Sequence, residues 1–125
     1  MGVLVTGGSG MLGRVLMDTL SLDGGTQGVS RGGAHGTSAC DLTDPRQVEN
    51  FFSLNSFNLV VHTAAYSDVD GCERNPKLAH ASNALSTKYL AQACGKKRIP
   101  FIYISTDYVF DGARKALVQE NEPPC

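Results

Sequence analysis

Two groups of residues in this sequence have the types and spacing to do chemistry. Gly7, Gly10 and Gly13, in "VTGGSGMLGR", recur at every third position directly behind the apolar run Val3-Leu4-Val5. Glycines placed between a strand and a helix free the backbone to approach an anion. Gly7 permits the tight turn, Gly10 admits a pyrophosphate, and Gly13 lets the helix pack close to the sheet. The N–H groups of the first helical turn then face the phosphates. The second group is Thr106, Asp107 and Tyr108, in "ISTDYVFDG". A hydroxyl, a carboxylate and a phenol side by side after a strand would make one wall of an active site. Between the groups lies "GVSRGG", about 20 positions past the glycines, where an acid would bind a ribose 2′-hydroxyl. That stretch holds Ser30 and Arg31 and no carboxylate. A guanidinium binds a phosphate through two parallel hydrogen bonds, so the pattern favours NADPH over NADH, with an incidental surface arginine as the alternative.

These groups need elements to hold them. Met11, Leu12, Val15, Leu16 and Leu20 stand at helical spacing and predict a helix from Met11 to about Leu22. The Gly-rich "DGGTQGVSRGGAHG" has one strongly apolar residue in its middle, Val29, and predicts a second strand on that residue alone. In "DLTDPRQVENFF", Asp44 is placed as an N-cap and Pro45 at the first helical position, with Val48, Phe51 and Phe52 facing the core. "FNLVVHTAA" reads as a strand buried on both faces, over about residues 58–63. A helix follows over about residues 76–94, with Leu78, Ala81, Leu85, Tyr89, Leu90 and Ala93 on one side and Gly95 as its stop. Pro100 opens the strand "FIYIS", and "ARKALVQENEPPC" reads as a loop. Strands alternating with helices predict an α/β fold: a Rossmann-like doubly wound parallel sheet of about five strands, with helices on both faces. A complete dinucleotide fold carries about six strands or more. Residues 1–125 therefore read as a single NAD(P)-binding domain and as the N-terminal part of a larger unit.

The bulk composition excludes several classes. With 42% hydrophobic and 18% charged residues, the chain is globular rather than disordered. A net charge of −1 leaves no footprint for nucleic acid or an anionic membrane, and Lys96-Lys97-Arg98 reads as a solvated helix end. No apolar run reaches the roughly 20 residues of a membrane span. "MGVLVTGG" has no basic leader, so a cytoplasmic location is expected. Cys40, Cys72, Cys94 and Cys125 form no close pair and are expected to be reduced; His35, His62 and His80 do not cluster, and no metal is expected.

"TGGSGMLG", "DLTD", "VVHTAAYSDVD" and "YISTDYVFDG", in this order and spacing, resemble the extended short-chain dehydrogenase/reductases, and within them the dTDP-4-dehydrorhamnose reductase family. The regulatory β subunit of methionine adenosyltransferase is similar in the same motifs. The resemblance implies that Gly7, Ser9, Gly10, Met11, Leu12 and Gly13 hold the pyrophosphate and that Arg31 meets the 2′-phosphate. It further implies that Asp41 and Leu42 flank the adenine, and that Ala64, Ala65 and Tyr66 line the ribose and nicotinamide side. Thr106 would belong to a catalytic Thr/Tyr/Lys set, with Val69, Asp107 and Tyr108 facing a sugar. The residues themselves allow plainer roles. Thr106 and Asp107 could cap the turn after their strand, Tyr108 and Phe110 could be core or interface aromatics, and His62 reads as a hydrogen-bonded core histidine. Asn83 matches a family position near the site, although an asparagine on a helix is usually structural.

The implied reaction also needs a Tyr-x-x-x-Lys pair, in which the phenol passes a proton to the carbonyl oxygen. Tyr66, Tyr89, Tyr103 and Tyr108 are followed four positions on by Asp70, Ala93, Asp107 and Gly112. The resemblance thus implies a pair beyond Cys125 and a chain that is inactive alone. Two functions follow as expectations: an NADPH-dependent reductase of a dTDP-4-keto-deoxysugar, or a non-catalytic regulatory module that binds a partner enzyme. A homo-oligomer is the further partner expected.

Overall fold

The computed structural model describes residues 2–21, 25–113 and 117–124. The expected helix end at Leu22, the loop at 114–116 and the Cys125 thiol lie outside the described residues. Five strands form one parallel sheet in the order β3-β2-β1-β4-β5. These are β1 (Gly2–Thr6), β2 (Thr26–Ser30), β3 (Ser38–Ala39), β4 (Phe57–His62) and β5 (Phe101–Tyr103). The order turns back between β1 and β4, the switch point where open α/β sheets hold their ligands.

Alternation along the strands assigns the two faces. Leu4, Val29 and Val60 are fully buried and pack with Val48, Phe52, Leu90 and Cys94 in one core. That face is covered by α2 (Pro45–Leu54) and α5 (Ser86–Lys97). Phe51 stacks on Phe57 at 6.0 Å and Phe52 meets it edge-on at 5.8 Å, which closes the end of this layer. Val5 and Val61 point the other way. There α1 (Met11–Leu20) crosses Gly28, where an added Cβ would come within 3.1 Å of the Met17 sulfur. Helices therefore lie on both faces, as the alternating pattern predicts.

The helix expected from Met11 forms, with Gly13 as its buried residue, Leu16, Met17 and Leu20 half-buried, and Met11 91% and Val15 59% exposed. Several expectations are corrected. The helix expected over about residues 76–94 is built in pieces: α4 (Pro76–Ala79), a π-helical turn (His80–Leu85) and α5. It does not stop at Gly95. It runs to Lys97 and ends on Arg98 in the left-handed conformation, φ +56°. Lys96 reaches Glu49 at 3.2 Å and Lys97 donates to the Phe52 carbonyl, so contacts with α2 carry the last turn past the glycine. A short helix not read from the sequence, α3 (Val69–Arg74), begins where the Asp68 carboxylate accepts from Gly71 N at 3.0 Å. Asp44 caps α2 as predicted, accepting from Arg46 N at 2.9 Å.

Candidate functional site

The glycine turn brings two walls together at the switch point. Gly7 has φ +69°, and a Cβ there would lie 2.8 Å from the Ala64 nitrogen. Only a glycine lets the end of β1 touch the loop that leaves β4. Gly10 is the N-cap of α1, and its N–H donates to Gly7 O at 2.8 Å. No side chain caps this helix. A Cβ on Gly10 would meet Gly7 O at 3.2 Å and otherwise enter open space. That gap, before the free N–H groups of a helix start, fits a pyrophosphate. Gly13 lies beneath, with room for no Cβ because Gly7 O would be 2.1 Å away.

The gap opens into a cleft of about 350 Å³. One end is lined by Ser30, Arg31, Cys40, Leu42 and Thr43, the middle by Gly7, Ser9 and Gly10, and the other end by Ala64, Ala65, Tyr66, Ser82 and Ser86. The structure thus gathers residues from five separate segments into one space. Met11, Leu12 and Asp41 flank the cleft without lining it. Asp41 stands 3.8 Å from Arg31 in a pair that is 64% exposed on the arginine side. Thr43 donates to the Asp41 carboxylate through its hydroxyl at 2.7 Å and its N–H at 2.9 Å; these bonds, side-chain first and helped by Arg31, hold the carboxyl below its usual range. Burial, with Asp41 and Asp44 nearby, pushes the Cys40 thiol up to about 11, so this cysteine is a protonated wall and no nucleophile.

Thr106, Asp107 and Tyr108 lie outside the cleft, in an exposed turn after β5. The Thr106 hydroxyl accepts from Tyr108 N at 3.2 Å and donates to Asp107 at 3.3 Å, which makes it the cap of that turn. Val69 is also apart, 60% exposed at the start of α3. The two strand exits are nevertheless tied, since Ile104 N donates to His62 O at 3.1 Å.

A larger hollow of about 480 Å³ lies between α2 and α5, floored by Val48, Phe52, Tyr89 and Ala93. It shares no residue with the cleft, and the Lys96–Glu49 pair and Lys97 strap it. Its ammonium groups are engaged with α2, Lys96 with Glu49 and Lys97 with the Phe52 carbonyl, and it lies away from the glycine turn and the switch point. Among the described residues, no group of three or more His, Cys, Asp or Glu side chains could hold a metal ion. No helix among them is long and apolar enough to cross a membrane.

A family model described as the RmlD substrate binding domain matches residues 1–125. The chain belongs to the dTDP-4-dehydrorhamnose reductase family. A probable low-salt glycan biosynthesis reductase, Agl14 of Haloferax volcanii, is 40% identical over 97% of this chain and 42% of its own length. Among solved structures, a hypothetical dTDP-4-dehydrorhamnose reductase from Sulfolobus tokodaii superposes with a TM-score of 0.91 at 33% identity, over 100% of this chain and 46% of that one. A dTDP-4-dehydrorhamnose reductase from Bacillus anthracis in complex with NADP gives 0.87 at 30% identity, over 99% of this chain and 43% of that one. The chain therefore spans less than half the length of these relatives.

Asn83, Cys72 and His62 brace the Tyr66 side of the cleft from behind. Asn83, in the π turn, accepts from Tyr66 N at 2.7 Å and donates to Tyr66 O at 3.0 Å. The side chain thus replaces a strand partner for Tyr66. Cys72 adds a thiol bond to the same carbonyl at 3.2 Å. His62, read as a core histidine, is fully buried and bonded to Thr6 at 2.6 Å and to Thr87 at 2.9 Å. The sequence signal for these partners is long-range and has no local spacing.

Proposed function

We propose that this chain is the NADPH-binding part of a sugar-nucleotide reductase acting on the 4-keto group of a dTDP-deoxysugar. The observation that carries this reading is the cleft itself: a gap at Gly10 fitting a pyrophosphate, with Ser30 and Arg31 at one end. The NADP held by the Bacillus anthracis relative supports it. A bound NADPH supplies the hydride. The N–H groups at the start of α1 receive the pyrophosphate, with Ser9 beside them. Arg31 turns from Asp41 to the 2′-phosphate, because an exposed ion pair is worth only about 0–1 kcal/mol and hydrogen bonds to a charged group about 1.5–3 kcal/mol. Leu42 and Asp41 flank the adenine, while Ala64, Ala65 and Tyr66 line the nicotinamide side. Thr106, released from Asp107, hydrogen-bonds a substrate carbonyl, with Val69, Asp107 and Tyr108 towards the sugar. None of the four tyrosines in these 125 residues is followed four positions on by a lysine.

Calorimetric titration with NADPH and NADH tests the reading. NADPH binds more tightly, and Arg31→Ala weakens it about 10- to 100-fold, the range of a lost charged hydrogen bond, with little change for NADH. A folded chain that binds neither nucleotide sinks the proposal, and equal affinity for both sinks the cofactor preference. Co-purification with a methionine adenosyltransferase, without dTDP-sugar binding, would favour the regulatory reading.

A further inference from the structure

The hydrogen bonds around His62 run in one direction. The Thr87 hydroxyl has a single proton, and it goes to Asn83 O at 2.7 Å. Towards His62 Nε2, 2.9 Å away, Thr87 can only accept, so Nε2 carries a proton. On the other side of the ring, Thr6 Oγ1 already accepts from Ala64 N at 3.4 Å. Among the described residues its own proton has one hydrogen-bond acceptor, His62 Nδ1 at 2.6 Å. The opposite tautomer would orphan the Thr6 proton in a fully buried site and would make Thr87 give up its bond to Asn83 O in order to donate to Nε2. Desolvation, which lowers the His62 pKa to about 4, keeps the ring neutral. The chain of donors is therefore Ala64 N–H to Thr6, Thr6 to Nδ1, Nε2–H to Thr87, and Thr87 to Asn83 O. Asn83 in turn grips Tyr66 at both N–H and carbonyl. The Ala64 end of the wall thus hangs on a run of aligned bonds, which strengthen one another cooperatively, and the Tyr66 end hangs on the side chain of Asn83, the residue whose main-chain carbonyl ends that run.

We propose that His62, as the neutral Nε2–H tautomer, is a positioning residue that sets the 64–66 wall of the cleft through Thr6 and Thr87. The inference rests on the reading that this wall faces the nicotinamide end of bound NADPH. The ring touches neither cofactor nor substrate; it acts through the two threonines.

A long-range ¹H–¹⁵N spectrum of the histidines in the unliganded chain is expected to show His62 as the Nε2–H tautomer. A Nδ1–H tautomer or an imidazolium at pH 7 overturns the proposal. Thr6→Val and Thr87→Val are each expected to shift the Ala64 and Tyr66 amide resonances and to weaken NADPH about fivefold, the size of one net buried hydrogen bond. Thr6→Ser and Thr87→Ser, which keep the hydroxyl, restore both. Valine variants that melt at a lower temperature yet keep wild-type shifts and affinity when folded would reduce the network to plain stability and overturn the inference. Should the wild-type chain fail to bind NADPH, the functional reading falls, while the tautomer and the amide shifts still decide the network.

Discussion

His62 contributes a pH dependence that can be read from its burial. Desolvation lowers its pKa from the ordinary 6.5 to about 4. Between those values the unfolded chain takes up a proton that the folded chain refuses. Stability therefore falls as pH drops through this window, and no further cost accrues below it. The full effect is on the order of 3 kcal/mol at 1.36 kcal/mol per unit. His62→Gln is expected to be less stable at neutral pH but to lose about 2 kcal/mol less than wild type on acidification to about pH 4.5. Urea titrations at both pH values check this, and parallel losses would count against it. At the same scale, the placement of Gly7, Gly10 and Arg31 around one cleft was legible because their chemistry is local. A left-handed turn, a missing side chain and a guanidinium carry their meaning wherever they occur. The Thr6 and Thr87 partners of His62 were not legible, since only the folded sheet and α5 bring them together.

Element boundaries followed the same division. Asp44 and Pro45 announced α2 because a cap is a matter of adjacent residues. Gly95 misled because α2 supplies partners for Lys96 and Lys97 and holds the next turn together. The cost of that extension sits at Arg98, in the left-handed region at φ +56°. Arg98→Gly is expected to stabilise the chain by about 1 kcal/mol, measured by chemical denaturation, since glycine adopts that conformation freely. An unchanged midpoint would mean that the arginine side chain compensates. The packing of α1 gives the opposite sign. A Cβ on Gly13 would overlap Gly7 O at 2.1 Å, so Gly13→Ala must push α1 off the glycine turn. A loss of about 1–3 kcal/mol is expected from such overpacking, together with loss of NADPH binding. A variant that binds normally would show that the turn does not need the close approach. The π turn at 80–85 stayed hidden from the sequence because what holds it, the Asn83 grip on Tyr66, is a tertiary contact.

Across the whole molecule the parallel order was foreseeable from alternating strands and helices, although β2 rested on Val29 alone. One edge of the sheet is open. Ile102 and Tyr103 on β5, and Ile104 directly after it, are each between 45% and 48% exposed. An uncovered apolar strand edge invites pairing with another copy. Self-association is therefore expected at high concentration, and Ile102→Lys or Ile104→Lys should shift gel-filtration elution towards the monomer. A monodisperse wild-type monomer would refute it. The strand order also carries a consequence for time. β1 lies at the centre of the sheet, pairing with the early β2 on one side and with the much later β4 on the other, Val3 beside Leu59. On a ribosome the first βαβ unit can close as soon as it emerges, but its inner edge must then wait for α2 and β4 to be synthesised. The long loop closure that ends this wait makes docking of β4 the natural slow step of folding. The glycine turn and the Ala64 wall are born together in that step, because Gly7 touches Ala64 only once β4 is in register.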